Sequence, residues 1–218
     1  MKKLLFFVLL SGCATYSNYP DRWWEAGSEA PKSWEILPTA ADRDKKEVIL
    51  SKRNDLGVLS NFAATPFTYR GKTYASVEGF WQMMKYPENA KDERNKVKWP
   101  HTRDQVAAMT AFEANKAGHE ANELMKKLKI DWITFEGERI EYKTTREGMD
   151  RHYQLIYEAT KAKVEQNPEV KKTLLATGDL RLLPDHMQEA DATKAYRYYD
   201  IEMRLRDEER KADMRGKL

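Results

Sequence analysis

LSNFAATPFTYRGKTYASVEGFWQMMKY, residues 59–86, alternates like a strand as far as Tyr74 and turns helical from Ser76. Phe67, Tyr69, Thr73 and Tyr74 are β-formers on either side of Arg70-Gly71, which predicts a small hairpin. Ser76 is placed to cap the helix that follows, its hydroxyl accepting one of the first-turn N–H groups that lack a carbonyl partner. Val77, Phe80, Trp81 and Met84 then recur at helical spacing and predict an apolar face. Glu78 stands one residue off that face, with Gln82 and Lys85 following at i+4 and i+7. The pattern sets a carboxylate in a first helical turn, beside two aromatic rings and under a hairpin, which suits acid–base chemistry. The plainer account is that the helix dipole alone favours a Glu there. The dipole also favours the ionised form, so a proton-donating Glu78 needs desolvation to raise its pKa.

Leu59-Ser60-Asn61-Phe62, Pro66-Phe67, Gly71-Lys72-Thr73-Tyr74, Ser76-Val77-Glu78 and Gln82-Met83-Met84-Lys85 together resemble the signature of the YbiA-like, or NADAR, family. The resemblance extends more thinly from about Val48 to Arg206. It implies an α+β fold, mostly helical, as a single domain with a small antiparallel sheet or hairpins. It also implies N-glycosidase activity on ribosylated substrates, including phosphoribosylamino intermediates of riboflavin synthesis and ADP-ribosylated nucleobases. Carried onto this chain, it makes Glu78 and Asp185 the catalytic carboxylates. Asn61, Phe62, Arg70, Trp81, Gln82, Lys85, Lys116, Trp132 and Tyr198 become the residues that bind substrate. Lys116, in Ala114-Asn115-Lys116-Ala117-Gly118, meets a phosphate as a point charge or is a solvated helix lysine. Trp132 stacks on a base or simply packs.

The first twelve residues, MKKLLFFVLLSG, have two lysines, an apolar run from Leu4 to Leu10 and small residues, the plan of a secretory leader too short to span a bilayer. Leu10-Ser11-Gly12-Cys13 resembles a bacterial lipobox, which makes Cys13 the lipidated N-terminus, and Ala14 after it implies the outer membrane, facing the periplasm. Two or more acyl chains make such an anchor stable. Lys2 and Lys3 leave with the leader, so the 38 basic and 35 acidic side chains come close to balance. That is no footprint for bulk nucleic-acid binding. Cys13 is the only cysteine, so the body has no disulfide.

Residues 13–46, polar and carrying Pro20, Pro31 and Pro38 with Trp23, Trp24 and Trp34, read as a tether that becomes partly ordered near a domain spanning 47–218. The tryptophans pack back on the body or touch a membrane or partner. Val48-Ile49-Leu50 reads as the first strand. Pro87 to Lys98 reads as a solvated helix ended by Pro100. Arg103–Met109 and Phe112–Leu128 read as two more helices, and Phe135–Tyr142 as a second hairpin. Met149, Tyr153, Ile156, Thr160 and Val164 mark the core stripe of a long helix stopped at Asn167-Pro168. A short helix through Val170, Leu174 and Leu175 follows, with Gly178 at its C-cap, then a strand at 180–183.

Near the C-terminus the family carries a Trp-Gly pair and a glycine-rich loop, which this chain lacks. It has Asp185-His186-Met187 and Ala195-Tyr196-Arg197-Tyr198-Tyr199-Asp200 instead, and Gly79 stands where the family often has a His. His101, His119, His152 and His186 are scattered, without metal-ligand spacing, and no nucleophile elbow, P-loop or dinucleotide fingerprint is present. The reading calls for no metal or cofactor. An N-glycosidic bond needs a carboxylate to activate water or steady an oxocarbenium-like centre, and a proton for the leaving base. The sequence supports three accounts: metal-independent hydrolysis, a nucleotide- or ADP-ribose-binding module that has lost catalysis, and a structural envelope lipoprotein.

Overall fold

The computed structural model describes residues 19–189 and 191–215. Among these, the order is β1 (Glu47–Ile49), β2 (Phe67–Tyr69), β3 (Lys72–Tyr74), α1 (Val77–Met83), α2 (Arg103–Ala107), α3 (Ala111–Leu128), β4 (Ile133–Phe135), β5 (Glu138–Ile140), α4 (Arg146–Gln166), α5 (Pro168–Ala176), β6 (Arg181–Leu183) and α6 (Tyr198–Arg215). The class is α+β, with helices forming most of the ordered structure around three two-stranded pairs.

The hairpin expected at Arg70-Gly71 forms, with Phe67 opposite Tyr74. Both turn residues have positive φ, 49° at Arg70 and 78° at Gly71, the conformation whose twist suits a two-residue hairpin. The second hairpin, β4–β5, repeats it at Glu136 (52°) and Gly137 (79°). The two tips clasp one another, Arg70 Nη1 lying 2.5 Å from Glu136 Oε2. Between them Tyr74, Phe80 and Phe135 meet edge to face, at 4.9 Å and 5.5 Å between ring centroids. Ser76 caps α1, its Oγ accepting from Gly79 N at 2.9 Å and donating to Met109 O at 2.9 Å. Every residue of α1 is buried, because α2, α3 and α4 all pack on it. The approach of α2 leaves no room at Gly79, where a Cβ would stand 2.5 Å from Met109 O.

Beside the two antiparallel hairpins, β1 lies parallel to β6, with Val48 opposite Leu182. Two expectations need correction. Residues 87–98 make only a short 3₁₀ turn, Glu93–Lys96. Arg94 is fully buried there and donates to Met84 O, Lys85 O and Thr134 Oγ1, contacts that a solvated helix cannot make. The described part of the segment read as a partly ordered tether, 19–46, packs on the body, the first of the two alternatives for its tryptophans. Trp23 and Trp24 are buried, and the Trp24 indole donates to Glu47 O at 2.9 Å. Glu35 holds Arg53 through paired contacts of 2.6 and 2.7 Å. Finally, the buried strip of α4 is offset from the expected stripe. Met149 and Tyr153 are half-buried, while His152, Leu155, Ala159 and Lys163 turn inward beside Ile156, Thr160 and Val164. The C-cap of α5 falls on Thr177, and Gly178, expected there, is the next residue, with φ at +57°.

Candidate active site

The cap at Ser76 starts α1 so that Glu78 falls in its first turn, where its backbone N–H donates to Asn61 O at 2.9 Å. The carboxylate is buried. Gln82, one turn on, donates Nε2 to Glu78 Oε1 at 2.8 Å, and Asn115 of α3 donates Nδ2 to the same oxygen at 3.3 Å. Gln82 reaches that position because α3 has Gly118 beneath it, where a Cβ would lie 2.0 Å from Gln82 Oε1. Burial pushes the Glu78 carboxyl up, against the two amide donors and the positive charge of Lys85. Lys85 moves the other way: burial lowers its ammonium to about 7, with Glu78 opposing and Lys143 adding to the fall. Burial thus works against the charged form of both groups, while each favours the charge of the other.

Lys85 Nζ sits 4.8 Å from the centre of Trp81, whose ring also lies 4.2 Å from His152, 5.4 Å from Tyr142 and 5.9 Å from Tyr196 between centroids. Tyr142 and Tyr196 meet His152 edge-on at 5.4 and 5.7 Å. Burial in this ring cluster, with Lys85 nearby, drops the His152 imidazole to about 3, so it is neutral at physiological pH. Both its ring nitrogens are buried without a hydrogen-bond partner, as are Asn61 Oδ1 and Gln82 Oε1. Unspent polar capacity of this kind is uncommon in a folded interior.

The far wall follows from the parallel pair. Strands running the same way release their following residues at one edge, which sets Lys52 beside Asp185. Asp185 is buried, takes the Lys52 ammonium, and lies 2.9 Å from His186 Nδ1 and 3.3 Å from Tyr198 OH. Burial acts to raise its carboxyl, but His186 and Lys52 outweigh that and hold it below the ordinary range. A loop from Ser60 to Ala63 closes the site. The Ser60 carbonyl is held from below by buried Lys163 at 2.8 Å, and Phe62 O accepts from Ala111 N at 3.1 Å.

These elements enclose a cleft of about 480 Å³, within the range of small-ligand sites. Of the residues named from sequence, Asn61, Phe62, Glu78, Trp81, Gln82, Lys85 and Tyr198 line it together. Asp185 is behind the wall, touching the lining residues Lys52, His186 and Tyr198. The other three lie away from the lining. Arg70 is engaged at the hairpin tips, Lys116 is exposed on α3, and Trp132 is held between the guanidiniums of Arg94 and Arg139 at 4.7 and 4.5 Å. Cys13 falls outside the described residues. Sequence reasoning passed over Trp34, Lys52, Asn115, Tyr142, His152, His186 and Tyr196, all of which line the cleft. His186 had a signal in the adjacent Asp185, and Asn115 in its place beside Lys116. Trp34 and His152 had none. No group of three potential metal ligands converges among the described residues.

No protein-family model matches the chain, and no curated protein is similar to it. Among solved structures it is similar to the NMR structure of the E. coli protein YbiA, at 21% identity and a TM-score of 0.49, over 85% of this chain and 94% of that one.

Proposed function

We propose that this chain hydrolyses an N-glycosidic bond in a ribosylated nucleotide or ADP-ribose-type substrate, with Glu78 as the key carboxylate. The observation that supports the reading is the buried Glu78 carboxyl, held by Gln82 and Asn115 at the floor of an aromatic-lined cleft that buried Lys85 also lines, in the segment whose motifs resemble the NADAR signature. The step balances with these two groups. Glu78 carboxylate takes a proton from water as its oxygen bonds to the ribosyl carbon. The C–N bond breaks with its electron pair going to nitrogen, and Lys85 ammonium supplies the proton that nitrogen needs. Loss of the proton from Glu78 to solvent and uptake of one by Lys85 reset the two groups. As positive charge develops on the ribosyl carbon, the Glu78 carboxylate also lies where it can steady that charge. With the lipobox at Cys13, the activity belongs at the cell envelope, on the periplasmic side.

Glu78→Gln keeps the shape and removes both the charge and the proton-accepting capacity. General acid–base help is typically worth about 10²–10⁴-fold, so product formation from ADP-ribosylated guanine nucleosides or phosphoribosylaminopyrimidines should fall at least by the lower figure. Substrate affinity and melting temperature should change little. A variant that cleaves as fast as the parent removes Glu78 from the chemistry. A parent that binds these compounds and cleaves none of them makes the cleft a binding module.

A further inference from the structure

The mouth of the cleft carries a second group of rings that the hydrolysis step does not use. Phe62 and Phe112 meet edge-on at 5.3 Å, and Trp34 lies 5.9 Å from Phe112. Trp34 is 39% exposed and Phe112 56% exposed. Among the described residues, the exposed large hydrophobics are Trp34, Phe112, Met187, Tyr196 and Met214. Three of these line the cleft, and Met187 sits between the lining residues His186 and Gln188. Apolar exposure is therefore concentrated at this one opening.

The rings are exposed but firmly placed. Glu35, next to Trp34, is clamped on Arg53, whose guanidinium also binds the carbonyls of Ala26, Glu29 and Ala30. The segment is pinned again by Ile36 N to Asp185 O at 2.8 Å and by a bridge between Glu35 and His186. Phe112 follows Ala111, which holds a left-handed φ of 49° and donates its N–H to Phe62 O. A non-glycine residue in that region is strained and persists only where its surroundings impose it. Ordering exposed aromatics this closely leaves little entropy to be lost when something stacks on them.

The charge at the mouth selects the guest. Lys52 Nζ lies 5.4 Å from the Trp34 ring centre and 5.0 Å from that of Phe62. The place a cationic guest would occupy over these rings is already taken by an ammonium that Asp185 holds, so the site suits a neutral planar ring. We propose that Trp34, Phe62 and Phe112 form a stacking subsite for a second planar heteroaromatic ring, so that the cleft takes dinucleotide-like substrates such as an ADP-ribosyl compound, its adenine at the mouth and its scissile ribose over Glu78. The proposal deepens the hydrolase reading of the same cleft by naming the half of the substrate that does not react.

Binding tests it without turnover. Calorimetry with ADP-ribose and AMP on the parent, Trp34→Ala, Trp34→Phe and Glu78→Gln separates the two readings. Base–aromatic stacking predicts that Trp34→Ala weakens both ligands by roughly tenfold or more, that Trp34→Phe restores much of the loss, and that Glu78→Gln still binds ADP-ribose. Equal affinity in the parent and Trp34→Ala overturns the subsite, as does a parent that binds neither ligand. A parent that binds ADP-ribose through Trp34 but hydrolyses no ribosylated base overturns the hydrolase reading and leaves the subsite standing.

Discussion

Gly118→Ala is the substitution for which the structure most sharply separates function from stability. The added Cβ would stand 2.0 Å from Gln82 Oε1, 2.2 Å from Cδ and 2.7 Å from Nε2. All three atoms belong to the end of a flexible side chain, so Gln82 can swing away without moving backbone. Replacing a helical Gly by Ala contributes about 1 kcal/mol of helix propensity, which offsets part of what the displaced amide loses. Net stability should therefore fall by no more than about 2 kcal/mol, a melting shift of at most roughly 4–8 °C at this chain length. The site responds differently. Gln82 is the shorter of the two donors to Glu78, at 2.8 Å against 3.3 Å from Asn115. A hydrogen bond to a charged group is worth about 1.5–3 kcal/mol, so its loss should cost roughly ten- to hundredfold in kcat/KM. The carboxyl, already raised by burial, should rise further, moving the acid limb of the rate profile to higher pH. Carboxyl-carbon NMR titration of Glu78 reports this shift even without turnover. A variant with the parent's titration and kcat/KM would refute the role given to Gln82. A variant that melts 10 °C lower would refute the claim that only a side-chain end is in the way.

His152 gives a stability prediction with a definite sign. Its folded pKa of about 3 lies below the ordinary 6.5, so between those values the unfolded chain binds a proton that the folded one refuses. Stability is lost as pH falls from about 6.5 towards 3, by up to about 1.4 kcal/mol per pH unit from this group. Denaturation of His152→Phe at pH 7 and 5 should show a flatter dependence than the parent, and an unchanged slope would count against the buried neutral imidazole. Arg94→Met should destabilise by about 3–5 kcal/mol, since it strands Asp92 and the carbonyls of Met84 and Lys85 in the interior. Thermal melting checks it, and a loss below 1 kcal/mol would mean these groups find water. Cys13→Ala should leave the chain unprocessed or release it from detergent-phase membranes, whereas an unaltered membrane fraction and mass would end the lipoprotein proposal.

Local chemistry explains what could be read in the sequence. A hairpin turn, an N-cap, the placement of Glu78 with Gln82 one turn later, and the stop at Asn167-Pro168 each depend on residues within a few positions of one another, where side-chain type and period decide the backbone. The run from Leu59 to Tyr86 therefore specified the floor of the cleft. The helix expected at Pro87–Lys98 failed because Arg94 is drawn inward by carbonyls from Met84 and Lys85 and a hydroxyl from Thr134, a long-range demand invisible to local charge. His152 looked like one of four scattered histidines because nothing in the period of α4 reveals which ring system will cover it.

The sequence by itself determined the segments that make the core and the carboxylate that faces the cleft. Only the tertiary structure decided what surrounds that carboxylate. Pairing of β1 with β6 across 134 positions of sequence brings Lys52 to Asp185, and the Glu35–Arg53 clamp carries Trp34 from a polar N-terminal stretch to the mouth of the site. Such contacts arise because burying Trp23, Trp24 and Leu182 together removes apolar surface from water. That driving force is non-directional and leaves no short-range pattern in the chain that it brings together.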